Sequence, residues 1–271
     1  MLAEGPVLLV GCGRMGGAML DGWLAQGAAP ERIVVVEPNP AGAFHHRAGL
    51  RRVVSVQAIE AAFRPAAVVF AVKPQEIAAL IDGYRRFVNA GTVFLSILAG
   101  KRIDFFEKRL GKEAALVRAM PNTPAAIRRG ITVACANAAV DAESRALCQR
   151  LLAAVGEVEW VAAEALLDLV TAVSGSGPAY VFLFTECLAK AGIKAGLPAP
   201  LAWRLARATV SGSGSLLDQS SEAPEVLRQH VTSPGGTTAA AVDELLADDA
   251  LEALLERAVA AAVRRSRELG D

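Results

Sequence analysis

The 271 residues predict a doubly wound α/β domain over residues 1–162, followed by an all-α domain over residues 163–271. Three observations carry that expectation. From Val7 to about Trp160, short runs rich in β-branched residues alternate with amphipathic stretches. A glycine-rich turn follows the first of those runs directly, and beyond Val161 the β-rich runs give way to Ala- and Leu-rich segments broken by Gly, Pro and Ser. Length alone allows one large domain or two modest ones.

In chain order, the strand candidates are Val7–Val10, Ile33–Val36, Val68–Ala71, Val93–Leu95, Ala115–Val117 and Thr132–Ala134. Continuous apolar strands separated by helical crossovers describe a parallel sheet covered on both faces. The stretch from Met1 to Val10 carries Glu4 and no basic leader, so it reads as a strand rather than an export signal, and a cytoplasmic protein is expected. In the second half, helices are expected over Ala165–Val173, Ala179–Ala195, Ala199–Leu217, Thr237–Ala247 and Leu251–Leu269. Several of them lack a clearly polar second face, so a second copy of the chain is expected to cover part of their surface in a homo-oligomer.

Lys plus Arg and Asp plus Glu each number 28, which leaves no net field to attract nucleic acid or an anionic membrane. The doublets Arg51-Arg52, Arg128-Arg129 and Arg264-Arg265 are too short for a polybasic run and read as solvated faces. The most apolar region, Leu166–Leu188, is interrupted by Ser174-Gly175-Ser176-Gly177-Pro178, so no membrane span is expected. Cys12, Cys135, Cys148 and Cys187 show no C-x-x-C spacing and the three histidines no metal-site interval, so free thiols and no metal are expected. A small-molecule partner remains.

Gly11-Cys12-Gly13-Arg14-Met15-Gly16 is a G-x-G-x-x-G placed between a strand and a helix. The first glycine allows a tight turn and the second lets a pyrophosphate approach the backbone. The third permits helix and strand to pack, while the helix N-terminus offers free N–H groups to the anion. In that context the motif marks a Rossmann-type dinucleotide site. Glu37, at the end of the second strand candidate, can accept from the ribose hydroxyls and would repel a 2′-phosphate, which favours NADH. Read otherwise, Glu37 is a surface acid before the turn Pro38-Asn39-Pro40, and Arg47, Arg51 and Arg52 keep NADPH open.

Ala71-Val72-Lys73-Pro74 and Met120-Pro121-Asn122-Thr123-Pro124 follow strand candidates, at the sheet edge where open α/β folds bind ligands. Each alone is equally a Pro-stiffened turn. Ser174-Gly175-Ser176-Gly177-Pro178-Ala179-Tyr180 places hydroxyls before a long helix. In Thr232-Ser233-Pro234-Gly235-Gly236-Thr237-Thr238 a glycine pair precedes a helix start, where unpaired N–H groups can hold a carboxylate. The alternative there is an ordinary N-cap with two threonines competing for it.

Taken together and in this order, G-x-G-x-M-G, A-V-K-P, M-P-N-T-P, S-G-S-G-P-A-Y and S-P-G-G-T-T closely resemble the pyrroline-5-carboxylate reductase family across nearly the whole chain. The resemblance implies reduction of 1-pyrroline-5-carboxylate to L-proline by NADPH or NADH, in a dimer or ring of dimers with interlocked helical domains. It implies that Val10, Gly11, Cys12, Gly13, Arg14 and Met15 line the pyrophosphate, with Ala71, Val72, Lys73 and Pro74 beside the nicotinamide ribose and the Leu98-Ala99-Gly100 turn completing that side. Glu164, His230, Gly236, Thr237 and Thr238 fall where the family contacts its substrate, and Thr238 matches the catalytic hydroxyl near the ring nitrogen. Relatives that use NADPH tend to carry a small polar residue where Glu37 stands.

Two other readings remain open. A β-hydroxyacid dehydrogenase would place a lysine acid at G-S-G-x-x-x-K, but that position is Val181, and Lys190 and Lys194 lie too far along the helix. A non-catalytic dinucleotide sensor shares the glycine fingerprint and has no need of the S-P-G-G-T-T loop.

Overall fold

The computed structural model describes residues 5–39 and 49–270. Pro40 and Arg47, invoked above, lie outside the described residues, as do the first four positions of the Met1–Val10 stretch. The chain divides into two compact units: residues up to Gly175 together with those from Ala262 onward, and Ser176–Ala261.

The first unit is built on an eight-stranded sheet in the order β3-β2-β1-β4-β5-β6-β7-β8. The strands are β1 (Val7–Val10), β2 (Ile33–Val36), β3 (Arg51–Val53), β4 (Ala67–Phe70), β5 (Val93–Ser96), β6 (Ala115–Met120), β7 (Gly130–Ala136) and β8 (Gly156–Trp160). β1 lies centrally, with Val7 paired to both Ile33 and Ala67. Alternation along β1 sends Val7 and Leu9 into one apolar layer and Leu8 and Val10 into the other. The first layer is closed by α1 (Arg14–Ala25) and α4 (Ala142–Ala153), through Met19, Leu20, Trp23, Leu147 and Leu151. These helices approach closely because a Cβ on Gly22 would stand 2.5 Å from the Ala154 carbonyl oxygen. Trp23 Nε1 donates to the Leu151 carbonyl at 2.8 Å, so its indole is buried without an orphaned donor. On the other face, α2 (Ile77–Leu80), the 3-10 turns Ile81–Phe87 that continue it, and α3 (Ile103–Leu110) bury Ile77, Ile81, Phe87 and Phe106.

β1 to β6 run parallel, as the continuous apolar runs predict, but β7 pairs antiparallel with β6 and carries β8 parallel to itself. The wholly parallel sheet is therefore corrected to a mixed one. Residues 121–129 join β6 to β7, too short a stretch for a crossover helix, which takes about a dozen residues or more. β3 and β8 have no continuous apolar run because both are edge strands. In β8, Glu157 and Glu159 alternate with half-buried residues, a pattern that discourages edge-to-edge pairing. The Arg51-Arg52 doublet, read as a solvated face, lies in the half-buried strand β3.

Helix α5 (Leu166–Val170) also packs in the first unit, where Leu167 and Asp168 are buried. For this reason the structural division falls later than residue 162. Asp168 accepts from Ser266 Oγ at 2.7 Å and lies 3.5 Å from the Arg102 guanidinium, tying the end of the last helix to α5 and to the start of α3.

The Ser174–Pro178 stretch does not interrupt the helix as expected. A single π-helical segment covers Thr171–Gly175, Ser176 keeps helical dihedrals (φ −87°, ψ −23°), and α6 (Gly177–Lys194) begins at once. The hydroxyls of Thr171 and Ser174 fold back onto the carbonyls of Leu167 and Val170 at 2.7 and 3.1 Å, and Pro178 sits in the first turn where no N–H is needed. The resulting helix, Leu166–Lys194, is long and apolar enough by length and composition to cross a membrane.

The second unit contains α6, α7 (Ala199–Gln219), α8 (Pro224–His230), α9 (Thr237–Leu246) and most of α10 (Ala250–Gly270). The short helix α8 was not anticipated. Gly196, at φ +107°, ends α6, and the Leu197 N–H donates back to the Gly192 carbonyl at 3.0 Å, turning the chain into α7. Few large side chains of this unit are buried: Phe182, Leu183 and Phe184 on α6 are at least half exposed.

Candidate active site

The turn after β1 shows why each glycine stands where it does. Gly11 adopts φ +89°, and a Cβ there would lie 2.8 Å from Val72 Cγ1 and 2.9 Å from the Ala71 carbonyl oxygen. The A-V-K-P loop after β4 thus packs on the glycine turn. A Cβ on Gly16 would stand 2.3 Å from the Gly11 carbonyl oxygen, while one on Gly13 would meet nothing within 4 Å. The open side is the side a ligand needs. Gly13 is the N-cap of α1 without any side-chain cap, and the N–H groups of Gly13, Arg14 and Met15 have no acceptor among the described residues. Such donors at the positive end of a helix suit a pyrophosphate.

Gly13 and Arg14 open onto a cavity of about 590 Å³ at the carboxyl ends of the strands. Val10, Gly11, Cys12, Gly13, Arg14, Glu37, Ala71, Val72 and Lys73 line it. Met15, Pro74, Leu98, Ala99 and Gly100 do not reach its wall. The Leu98–Gly100 turn follows β5 at the same sheet edge, with Gly100 at φ +74° and Leu269 packed against its Cα. Sequence reading missed Asn39, Val54–Gln57, Glu76, Ala79, Leu80, Gly83 and Tyr84, which form much of the remaining wall. They belong to no glycine motif and meet only through the strand order.

Glu37 is fixed in this cavity. Its Oε2 accepts from the Cys12 N–H and its Oε1 from the Asn39 N–H, both at 2.9 Å. The carboxylate therefore lies against the glycine turn rather than out in solvent, where a bare surface acid would be. Arg52 Nε donates to the Glu37 carbonyl at 2.7 Å, whereas Arg51 pairs with Glu60. The cavity fits a dinucleotide: unpartnered N–H donors for phosphate, a fixed carboxylate for ribose hydroxyls, and no Cβ at Gly13 in the way.

Glu164 is held inside the first unit. Its Oε1 accepts from Arg118 Nη1 at 2.9 Å and from the Ile103 N–H at 2.8 Å. Arg118 is 4% exposed, so Glu164 neutralises a buried cation and caps the start of α3. Nearby, burial pushes the Cys135 thiol up and the Glu164 charge adds to the effect. In the M-P-N-T-P loop, Asn122 Oδ1 accepts from the Ile131 N–H at 3.0 Å and so braces β7. Met120 packs on Gly175, where a Cβ would come within 2.6 Å of its Cε, which brings two of the sequence motifs into contact.

In the second unit, Thr237 and Thr238 open α9 and are exposed. Neither caps the helix: the N-cap is Gly236, with no side-chain hydrogen bond. Gly235 takes φ +71°, and the Gly236 N–H is used by the Ser233 carbonyl at 3.0 Å. The N–H groups of Thr237 and Thr238 have no acceptor among the described residues, leaving an anion-ready helix end beside two hydroxyls. His230 ends α8, exposed, with Nδ1 3.5 Å from Glu222 Oε2. Among the described residues no cluster of three or more metal-ligating side chains occurs.

Known proteins share this architecture. A family model described as pyrroline-5-carboxylate reductase dimerisation matches residues 164–269, and one described as NADP oxidoreductase, coenzyme F420-dependent, matches residues 6–100. A pyrroline-5-carboxylate reductase from Synechocystis sp. is 41% identical over 263 residues, 97% of each chain. One from Escherichia coli is 35% identical over 270 residues, 98% of each chain. The solved pyrroline-5-carboxylate reductase of Coxiella burnetii superposes with a TM-score of 0.91 at 33% identity, covering 99% of this chain and 100% of the other. The Plasmodium falciparum pyrroline carboxylate reductase, solved with NADP bound, superposes with a TM-score of 0.83 at 28% identity, covering 99% of each chain. With near-complete coverage at these identities, the chain belongs to the pyrroline-5-carboxylate reductase family.

Proposed function

We propose that this protein reduces 1-pyrroline-5-carboxylate to L-proline, the last step of proline biosynthesis, with NADH favoured over NADPH. The observation that carries the reading is the pairing of two anion-ready helix ends of different design, one preceded by Gly11–Gly13 and one by Gly235–Gly236, in a chain of this family. The fixed Glu37 carboxylate supports the choice of NADH. Residues 1–162 serve as the cofactor domain and 163–271 as the substrate and dimerisation domain.

A cyclic imine protonated at nitrogen is already electrophilic, so the site must position it and stabilise charge more than supply a strong acid. The bound reduced nicotinamide supplies the hydride. The N–H groups of Gly13–Met15 hold the pyrophosphate, Glu37 the adenosine ribose, and the Ala71–Pro74 and Leu98–Gly100 turns the nicotinamide end. The N–H groups of Thr237 and Thr238, presented by Gly236, hold the substrate carboxylate. Thr238 Oγ1 hydrogen-bonds the ring nitrogen, and His230 and Glu164 complete the substrate side.

The apolar surface of α6, Phe182 to Phe184 included, is covered by a second copy in a homodimer or ring of dimers. That partner, rather than lipid, accounts for the exposed apolar helix. Neither nucleic acid nor membrane is a partner. The protein works in the cytoplasm, where its free cysteines Cys12, Cys135, Cys148 and Cys187 stay reduced.

The test is NADH oxidation on addition of 1-pyrroline-5-carboxylate, with proline assayed as product and mass measured by light scattering. The expected result is one proline per NADH from a particle of at least two chains. Cofactor binding without turnover would favour the dinucleotide sensor instead.

A further inference from the structure

The wall of the dinucleotide cavity contains a buried polar group that none of the roles above uses. Tyr84 is 1% exposed and forms part of that wall. Its ring stands edge-on to Phe70, with centroids 5.2 Å apart, and its hydroxyl hydrogen-bonds to no described residue. Buried phenols normally find a partner, because an unmet one forfeits its hydration with no return. Burial pushes the phenol well above its ordinary range, so the group stays protonated and available as a donor.

Strand order says which part of a dinucleotide lies near it. Pyrophosphate belongs to the turn after β1 and ribose to Glu37 at the end of β2. β3 lies outside β2, so Val54–Gln57, which follow β3, are the next surface along the ligand beyond the ribose. Gly83 packs against Val56, where a Cβ would stand 2.7 Å from Val56 Cγ1, which sets Tyr84 beside that surface. Val54, Val56 and Leu80 give the slot apolar walls suited to a flat base rather than to a sugar or phosphate.

We propose that Tyr84 is an adenine-binding residue whose hydroxyl finds its missing hydrogen-bond partner on the polar edge of the bound adenine. The proposal rests on the dinucleotide reading of this cavity. It makes the free protein carry an unmet hydroxyl that the cofactor satisfies, so stability of the free protein and cofactor affinity respond to its removal in different ways.

The experiment is Tyr84→Phe in the full-length protein, with NADH titrated by fluorescence in the absence of substrate. The dissociation constant for NADH should rise by about three- to tenfold, while the Tm of the free protein holds or increases. Reduced nicotinamide mononucleotide, which lacks the adenosine half, should bind both proteins equally. An unchanged NADH dissociation constant, equal weakening of both cofactors, or a lowered Tm of the free variant would each overturn the proposal. Because no substrate is present, failure to reduce 1-pyrroline-5-carboxylate leaves this test standing. Failure of the unchanged protein to bind NADH overturns the dinucleotide reading and this proposal with it.

Discussion

Replacing Glu37 by Ser should reverse the cofactor preference, and the structure supplies the size of the effect. The carboxylate is held by the Cys12 and Asn39 N–H groups at 2.9 Å each, so its charge cannot swing away from an incoming ligand. A ribose hydroxyl donating to an ionised acceptor contributes roughly 1.5–3 kcal/mol, so losing it should weaken NADH use by about ten- to a hundredfold. For NADPH the sign is opposite. Two like unit charges about 4 Å apart repel by about 4 kcal/mol at an effective dielectric constant near 20. Solvent at the half-open rim reduces this to about half, and relief of the repulsion offsets the other losses. Arg52 donates to the Glu37 backbone carbonyl, so it keeps its place when the side chain changes. The ratio of kcat/KM for NADPH to that for NADH should therefore rise by about ten- to a hundredfold, measured by initial rates at fixed substrate. Raising ionic strength should improve NADPH use by the unchanged enzyme more than by the variant. A ratio that moves less than about twofold, in a variant with an unaltered far-UV spectrum, would refute the electrostatic reasoning; a twofold change is only about 0.4 kcal/mol.

Thr238→Ala should lower kcat/KM at least about tenfold with little change in the NADH dissociation constant, since one donor at a reacting centre is commonly worth 1.4 kcal/mol or more; steady-state kinetics check it. Glu164→Ala leaves Arg118 buried without its partner and the Ile103 N–H without an acceptor, so urea denaturation should show a loss of about 3 kcal/mol or more. Asp141 caps α4 by accepting from the Ser144 N–H at 2.7 Å, and that bond holds its carboxyl below the ordinary range. A depressed folded-state value means the stabilisation is full above the ordinary aspartate range and is lost as pH falls through the lower folded value. The Tm difference between the protein and Asp141→Ala should accordingly be largest near neutrality and shrink in acid.

Much of the cofactor site was legible in the sequence because its parts are local. Gly11 to Gly16 sit on one turn, and their roles follow from backbone geometry that only glycine permits. Glu37 was legible as an acid at a strand end, but its two N–H donors were not, since Cys12 lies on another strand's turn. Val54–Gln57 and Tyr84 were invisible for a similar reason: β3 carries no apolar run, and tertiary packing alone sets Gly83 against Val56. The orientation of β7 depends on the length of one connection, which a run of apolar residues does not encode. The Ser174–Pro178 stretch looked like a break because Ser, Gly and Pro commonly end helices. A π segment and two hydroxyls returned to backbone carbonyls keep the helix intact. Glu164 could be matched to a family position, whereas its bond to buried Arg118 needed coordinates. The loop at Gly235–Thr238 was readable as a helix start, and the structure adds that neither threonine is consumed by capping.

The most direct test is a crystal structure of the assembled enzyme with NAD+ and proline. The proline carboxylate should lie on the N–H groups of Thr237 and Thr238, its ring nitrogen should meet Thr238 Oγ1, and its C5 should face the nicotinamide C4 at van der Waals distance. Proline bound far from both the nicotinamide and Thr238, in every subunit of the assembly, would contradict the account.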